Sequence, residues 1–142
     1  MFRKFFISMA LAMLASSLLN AAHAQEKQKV VYHVTEADRV QFVLGNIENH
    51  IRGVGGPDKV DIVLVAHGPA LKAFEKKEGQ SGLSDRVAEL KKNGVSFDAC
   101  GNTLRNNRTT LSDLIDGFAR VDQGGVVRIV ELQQQGYLYL RP

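Results

Sequence analysis

The run Val60-Asp61-Ile62-Val63-Leu64-Val65-Ala66 is almost continuously apolar, rich in β-branched residues, and ends at His67-Gly68-Pro69. Such side chains suit a pleated strand, and a strand apolar on both faces has to be covered on both. That is the situation of a central strand in a parallel sheet. Pro69 fits the first position of a helix, where its missing N–H needs no partner, and Ala70, Leu71, Ala73 and Phe74 continue that helix. A buried strand running straight into a helix points to an α/β chain.

The flanking segments repeat the alternation. Lys29–Val34 predicts a first strand, and Thr35 with Asp38 three positions later predicts the N-cap of a helix. That helix carries Val40, Val43, Leu44, Ile47 and Ile51 on one apolar stripe, and the glycine-rich segment from Gly53 to Asp58 ends it. After a loop from Glu78 to Gly82, Leu83, Val87 and Leu90 predict a helix that Asn93-Gly94 closes. A strand follows from Val95 to Cys100. Thr110 is expected to cap a helix through Leu111, Leu114 and Ile115, stopped by Gly117. Phe118–Val121 predicts a short strand, about Gly125 to Gln135 a helix with Gly136 at its end, and Tyr137–Leu140 a last strand. Strands alternating with helices predict a single three-layer α/β/α domain on a mostly parallel five-stranded sheet.

Before this domain, Arg3-Lys4 precede an apolar run from Phe5 to Leu19, and Ala22-His23-Ala24 forms a small-residue cleavage site before Gln25. This is the pattern of a secretory signal peptide over 1–24, with a mature domain over 25–142 in the periplasm or outside the cell. The apolar run falls short of the ~20 residues that span a bilayer. Without Arg3 and Lys4, sixteen basic residues face fifteen acidic ones, so the net charge of the mature chain is close to +1. No basic stripe is interleaved with aromatic residues, which argues against nucleic acid as a partner, and no feature favours a membrane surface after cleavage.

The chain has one cysteine, Cys100, so an internal disulfide is excluded. It sits at the carboxyl end of its strand, and Gly101-Asn102-Thr103-Leu104 turns into a helix whose free N–H groups would face the sulfur. Helix N-termini and arginines stabilise thiolates, and Arg105 and Arg108 follow one and two turns on. Asp98 lies on the same strand face, where it would raise the thiol pKa or pair with Arg105 or Arg108. The alternative is that Cys100 is a small buried hydrophobe.

The pattern Gly-Val-x-Phe-x-x-Cys-x-x-x-Leu-Arg from Gly94 to Arg105 resembles the cysteine segment of the DsrE/YchN-like family. The closing run from Leu132 to Pro142 is similar to the end of its members, and the likeness covers most of the chain after Gln28. The resemblance implies the same three-layer fold, closed homo-oligomers, and a matching cysteine that carries sulfur as a persulfide in relays serving sulfur oxidation or tRNA thiolation. Two features depart from that pattern: the signal peptide, and the absence of a second cysteine to resolve a persulfide.

In parallel sheets ligands bind beyond the carboxyl ends of the strands, which here carry His33 and Thr35, His67, and Cys100. We therefore expect Cys100 and His67 as the reactive pair, with His67 lowering the thiol pKa, and His33, Thr35, Asn102 and Arg105 around the substrate. A donor and an acceptor of sulfane sulfur, proteins or small compounds, are the expected partners, and no cofactor is expected. His33, His67 and Cys100 are also ligand types for copper or zinc, but no C-x-x-C or H-x-x-x-H spacing accompanies them. The chain lacks G-x-S-x-G, G-x-x-x-x-G-K and G-x-G-x-x-G turns, so a serine hydrolase and nucleotide chemistry are disfavoured.

Overall fold

Parallel strands with every carboxyl end on one rim are the feature of the fold that matters most for chemistry. The computed structural model describes residues 26–78 and 82–142. The predicted signal peptide, and Gly79 to Ser81 within the predicted loop, lie outside the described residues. In chain order the elements are β1 (Gln28–Val34), α1 (Val40–Gly53), β2 (Val60–Ala66), α2 (Pro69–Ala73), α3 (Leu83–Lys92), β3 (Ser96–Cys100), α4 (Gly101–Asn107), β4 (Phe118–Val121), α5 (Gly125–Gln134) and β5 (Leu138–Leu140). The five strands are all parallel, in the order β4-β3-β2-β1-β5.

This order makes the two sheet faces unequal. The chain steps from β1 outward to β4 and then returns through α5 to the other side of β1. On one face Val30, Tyr32, Ile62, Leu64, Phe97 and Ala99 pack under the apolar stripes of α1 to α4. The aromatic rings of Phe74 and Phe97 meet that of Phe118 edge-on, at centroid distances of 4.8 and 5.4 Å. On the other face α5 alone lays Ile129 and Leu132 over Val31, Val63 and Val65. The β2 strand is thus buried on both faces, as its apolar run requires.

Polar residues interrupt the face under α5, and each has a partner. Asp61 accepts a hydrogen bond from the Tyr137 hydroxyl at 2.6 Å, and Asp98 accepts one from Arg128 Nε at 2.7 Å. His33 lies within 2.6 Å of His67 and 2.7 Å of Tyr139. A buried polar group without a partner is costly, so these pairings help fix how α5 and β5 sit on the sheet.

Two predicted helix starts are corrected. Thr35 caps nothing: its carbonyl accepts the Ala70 N–H at 2.8 Å, and its hydroxyl accepts from Arg141 at 2.9 Å. With Thr35 committed to the β2–α2 connection, the chain makes a 3₁₀ turn over Ala37–Arg39 before α1 begins at Val40. Thr110 opens only a 3₁₀ turn, Leu111–Asp113. The helix does not continue because Leu114 bridges Glu75 and the Ile115 N–H donates to the Phe74 carbonyl at 2.8 Å. Tertiary hydrogen bonds take the backbone groups that another helical turn would need.

Candidate functional site around Cys100

Cys100 ends β3 and is 5 % exposed. The chain turns directly into α4, so the N–H groups of Asn102 and Thr103 lie at the sulfur, and the Gly125 N–H at the start of α5 donates to Sγ at 3.2 Å. Two helix N-termini therefore converge on one thiol. Burial, the largest single influence, pushes the thiol pKa up. The hydrogen bonds from Gly125, the Thr103 hydroxyl, and the Thr103 and Asn102 amides outweigh it and hold Cys100 below its ordinary value.

That close approach depends on the glycine pair before α5. Gly124 has φ 95°, and a Cβ there would lie 2.5 Å from Asn102 Nδ2. At Gly125 a Cβ would come within 3.3 Å of His67 and 3.4 Å of the Cys100 Cβ, so a side chain would push α5 away from the sulfur. Cys100, His67, Asn102, Thr103 and Gly125 line a cavity of about 230 Å³, with Val126 and Val127 on its α5 side.

His67 reaches this cavity but faces elsewhere through its nitrogen. Its Nε2 is 2.6 Å from His33 Nε2, and His33 Nδ1 is 2.7 Å from the Tyr139 hydroxyl. A phenol donates more readily than it accepts from a neutral imidazole, so the consistent assignment runs Tyr139 O–H to His33 Nδ1, then His33 Nε2–H to His67 Nε2. His67 then carries its proton on Nδ1. Burial, His67 and Arg141 push the His33 pKa down to about 4, against a smaller upward pull from Glu36. Burial and Arg141 likewise lower His67. Both rings are neutral at pH 7 and form a short chain from the cavity to β5.

The sequence matches the DsrE/DsrF-like family over residues 7–142. The chain belongs to that family. Membership points to a role in sulfur relay. Among solved structures, a protein of unknown function from Methanobacterium thermoautotrophicum is 33 % identical with a TM-score of 0.71, the alignment covering 82 % of this chain and 100 % of that one. A conserved protein of unknown function from Bacteroides thetaiotaomicron is 16 % identical with a TM-score of 0.62, covering 81 % of this chain and 95 % of that one, and speaks for the fold alone. No curated protein matches the chain.

In this DsrE/DsrF-like domain the predicted residues separate into groups. Cys100, His67 and Asn102 share the cavity. His33 stands behind His67, and Thr35 is engaged with Arg141 and Ala70. Arg105 is exposed and donates to Asn102 Oδ1, so it holds a cavity residue rather than the sulfur. The expected arginine support of the thiolate is replaced by amide N–H groups and Thr103, because the helix leads Arg105 and Arg108 away to the surface. Asp98 pairs with Arg128 of α5, not with Arg105 or Arg108. Among the described residues no group of three or more His, Cys, Asp or Glu could hold a metal ion, so His33, His67 and Cys100 do not form a ligand set. Thr103 and the Gly124-Gly125 turn escaped the sequence reading. The signal for the latter was present, a glycine pair between a strand and a helix in an α/β chain.

Proposed function

We propose that the protein is a sulfur carrier or sulfurtransferase in which Cys100 accepts sulfane sulfur as a persulfide and passes it on. The observation that carries this reading is a buried thiol whose pKa is nevertheless lowered, by N–H groups from two helix starts, beside a small cavity. In the loading step the Cys100 thiolate attacks the outer sulfur of a persulfide or polysulfide donor. The Sγ–S bond forms as the donor S–S bond breaks, and the donor leaves as a thiolate or a shortened polysulfide. The same N–H groups can hold the negative charge of the product. With no second cysteine in the chain, an external thiolate has to take the outer sulfur and return Cys100 as thiolate.

To test this, Cys100 is loaded with polysulfide, freed of excess reagent and treated with cyanide. Thiocyanate equal to the sulfane sulfur loaded is expected from the wild type and none from Cys100→Ser. Retention of the sulfur by the protein would contradict a carrier role.

The reading extends to export with cleavage before Gln25 and to a homo-oligomer. The support for assembly is the open sheet edge at β5, where Leu138 is 68 % exposed, and, separately, the exposed Val126 of α5 at 65 %. N-terminal sequencing of exported protein is expected to begin at Gln25, and light scattering to give a mass above one chain. Retention of Met1 would overturn the first, and a strict monomer at micromolar concentration the second.

A further inference from the structure

The hydrogen bonds that hold the Cys100 sulfur all end on Sγ: those from the Gly125, Thr103 and Asn102 amides and from the Thr103 hydroxyl. Loading moves the charge they serve. In a deprotonated persulfide most of it sits on the outer sulfur, one S–S bond of about 2.05 Å beyond Sγ. A donor placed farther along the cavity is needed to receive it.

Several polar side chains line the cavity, and most of them are committed elsewhere. The Thr103 hydroxyl serves Sγ and accepts the Gly68 N–H at 2.9 Å. The Gln123 Nε2 is turned toward Glu131, whose Oε2 accepts from it at 2.8 Å. His67 Nε2 is paired with His33. Among the described residues no bond orients the amide of Asn106. Asn102 differs from all of these. Its Oδ1 accepts from Arg105, one turn along α4, so the nitrogen of the amide is turned the other way. That Nδ2 lies against Gly124, where a Cβ would come within 2.5 Å of it. Among the described residues it has no acceptor. The glycine at 124 thus leaves room for a fixed amide donor on the cavity wall.

We infer that Asn102 Nδ2 donates a hydrogen bond to the outer sulfur during transfer, and that Arg105 is a positioning residue that holds this amide with its nitrogen toward the cavity. The inference rests on the reading of Cys100 as a sulfur acceptor. As the thiolate attacks the outer sulfur, the Sγ–S bond forms, the donor S–S bond breaks, and its electron pair leaves on the inner sulfur of the donor. Asn102 takes up charge density from the sulfur under attack and keeps its proton throughout. Because Arg105 has already set the amide, no reorientation is needed when the charge arrives. Arg105 itself is exposed and screened by water, so its effect on the sulfur passes through Asn102.

The test compares two reactions of the same thiol at one pH, loading by inorganic polysulfide and alkylation by iodoacetamide. Alkylation forms a bond to carbon and places no charge beyond Sγ, so it registers the thiolate but not the amide. The ratio of loading rate to alkylation rate is expected to fall about 10-fold or more in Asn102→Ala, as befits loss of a hydrogen bond to a charged atom. Arg105→Met is expected to lower the ratio in the same direction, and Arg105→Lys to recover most of it, because an ammonium can also donate to Oδ1. Combining Asn102→Ala with Arg105→Met is expected to lower it no further than Asn102→Ala alone. Both positions are exposed, so neither change disturbs the core. In the wild type the NMR signals of the Asn102 side-chain amide are expected to shift on loading, and signals that stay in place overturn the contact. A ratio unchanged in Asn102→Ala overturns the role of the amide, and one unchanged in Arg105→Met overturns the positioning. A wild type that polysulfide does not load overturns the reading of Cys100 and this inference with it, whereas a wild type that loads no better, relative to alkylation, than Asn102→Ala overturns the inference alone.

Discussion

Arg128→Ala is expected to destabilise the protein by about 2–3 kcal/mol and to raise the pKa of Cys100. Asp98 is buried under α5, and its Oδ2 accepts from Arg128 Nε at 2.7 Å. Removing the arginine leaves a carboxylate in the sheet interior with its countercharge gone, a larger loss than removing both partners. Arg128 also ties α5 to β3, and α5 begins with the Gly125 N–H that donates to the Cys100 sulfur. A loosened α5 weakens that bond while burial of the thiol continues to act against ionisation. Urea unfolding gives the stability, and the pH dependence of iodoacetamide alkylation gives the thiol pKa. Adding Asp98→Asn to Arg128→Ala is expected to restore part of the stability, because the lost charge no longer needs a partner. A stable Arg128→Ala protein would show that the pair does not hold α5, and an unchanged thiol pKa that the Gly125 contact is set elsewhere.

The protein should also lose stability as pH falls from about 6.5 toward 4, before the carboxylates that sustain most folds are protonated. His33 has its pKa lowered from 6.5 to about 4. Within that window the unfolded chain binds a proton that the folded chain refuses, so the contribution is complete above the unfolded value and disappears as pH drops through the folded one. For a ring that is 8 % exposed, the gap is worth at most about 3 kcal/mol. His67, lowered for the same reason of burial, adds loss in the same direction. Protonation also breaks the chain of bonds from Tyr139 to His67, since a doubly protonated His33 cannot accept from the hydroxyl. Urea unfolding at pH 7 and pH 5 is expected to show the fall, and His33→Asn to flatten it. A wild type equally stable at both values would contradict the neutral buried pair.

Much of this architecture was readable from periodicity. The run Val60–Ala66 identified the central strand, and the stripe from Val40 to Ile51 identified α1, because burial leaves a direct trace in the spacing of apolar residues. The two failures had a common cause. Thr35 and Thr110 each have a good capping side chain, but their neighbourhoods form hydrogen bonds to residues far away in sequence, Ala70 and Arg141 in one case and Phe74 and Glu75 in the other. At the site, sequence order placed Cys100, His67 and Asn102 on one rim because parallel strands all end on the same side. It could not reveal that Arg128, thirty residues beyond Asp98, is the partner of that aspartate. The route of α5 back across the sheet decides that, and the linear pattern shows nothing of it. The same return path brings the Gly125 N–H to the thiol and Tyr139 to His33.

A sulfur carrier of this design must take sulfur at Cys100 while folded. The direct measurement is the intact mass of the wild type after incubation with inorganic polysulfide and removal of the reagent, followed by mapping of the modified peptide. One or more added sulfur masses are expected, all on the peptide that contains Cys100, with no adduct in Cys100→Ser. A wild-type protein that stays unmodified, and whose cysteine also fails to react with iodoacetamide while folded, would contradict the account and make Cys100 a packing residue of the core.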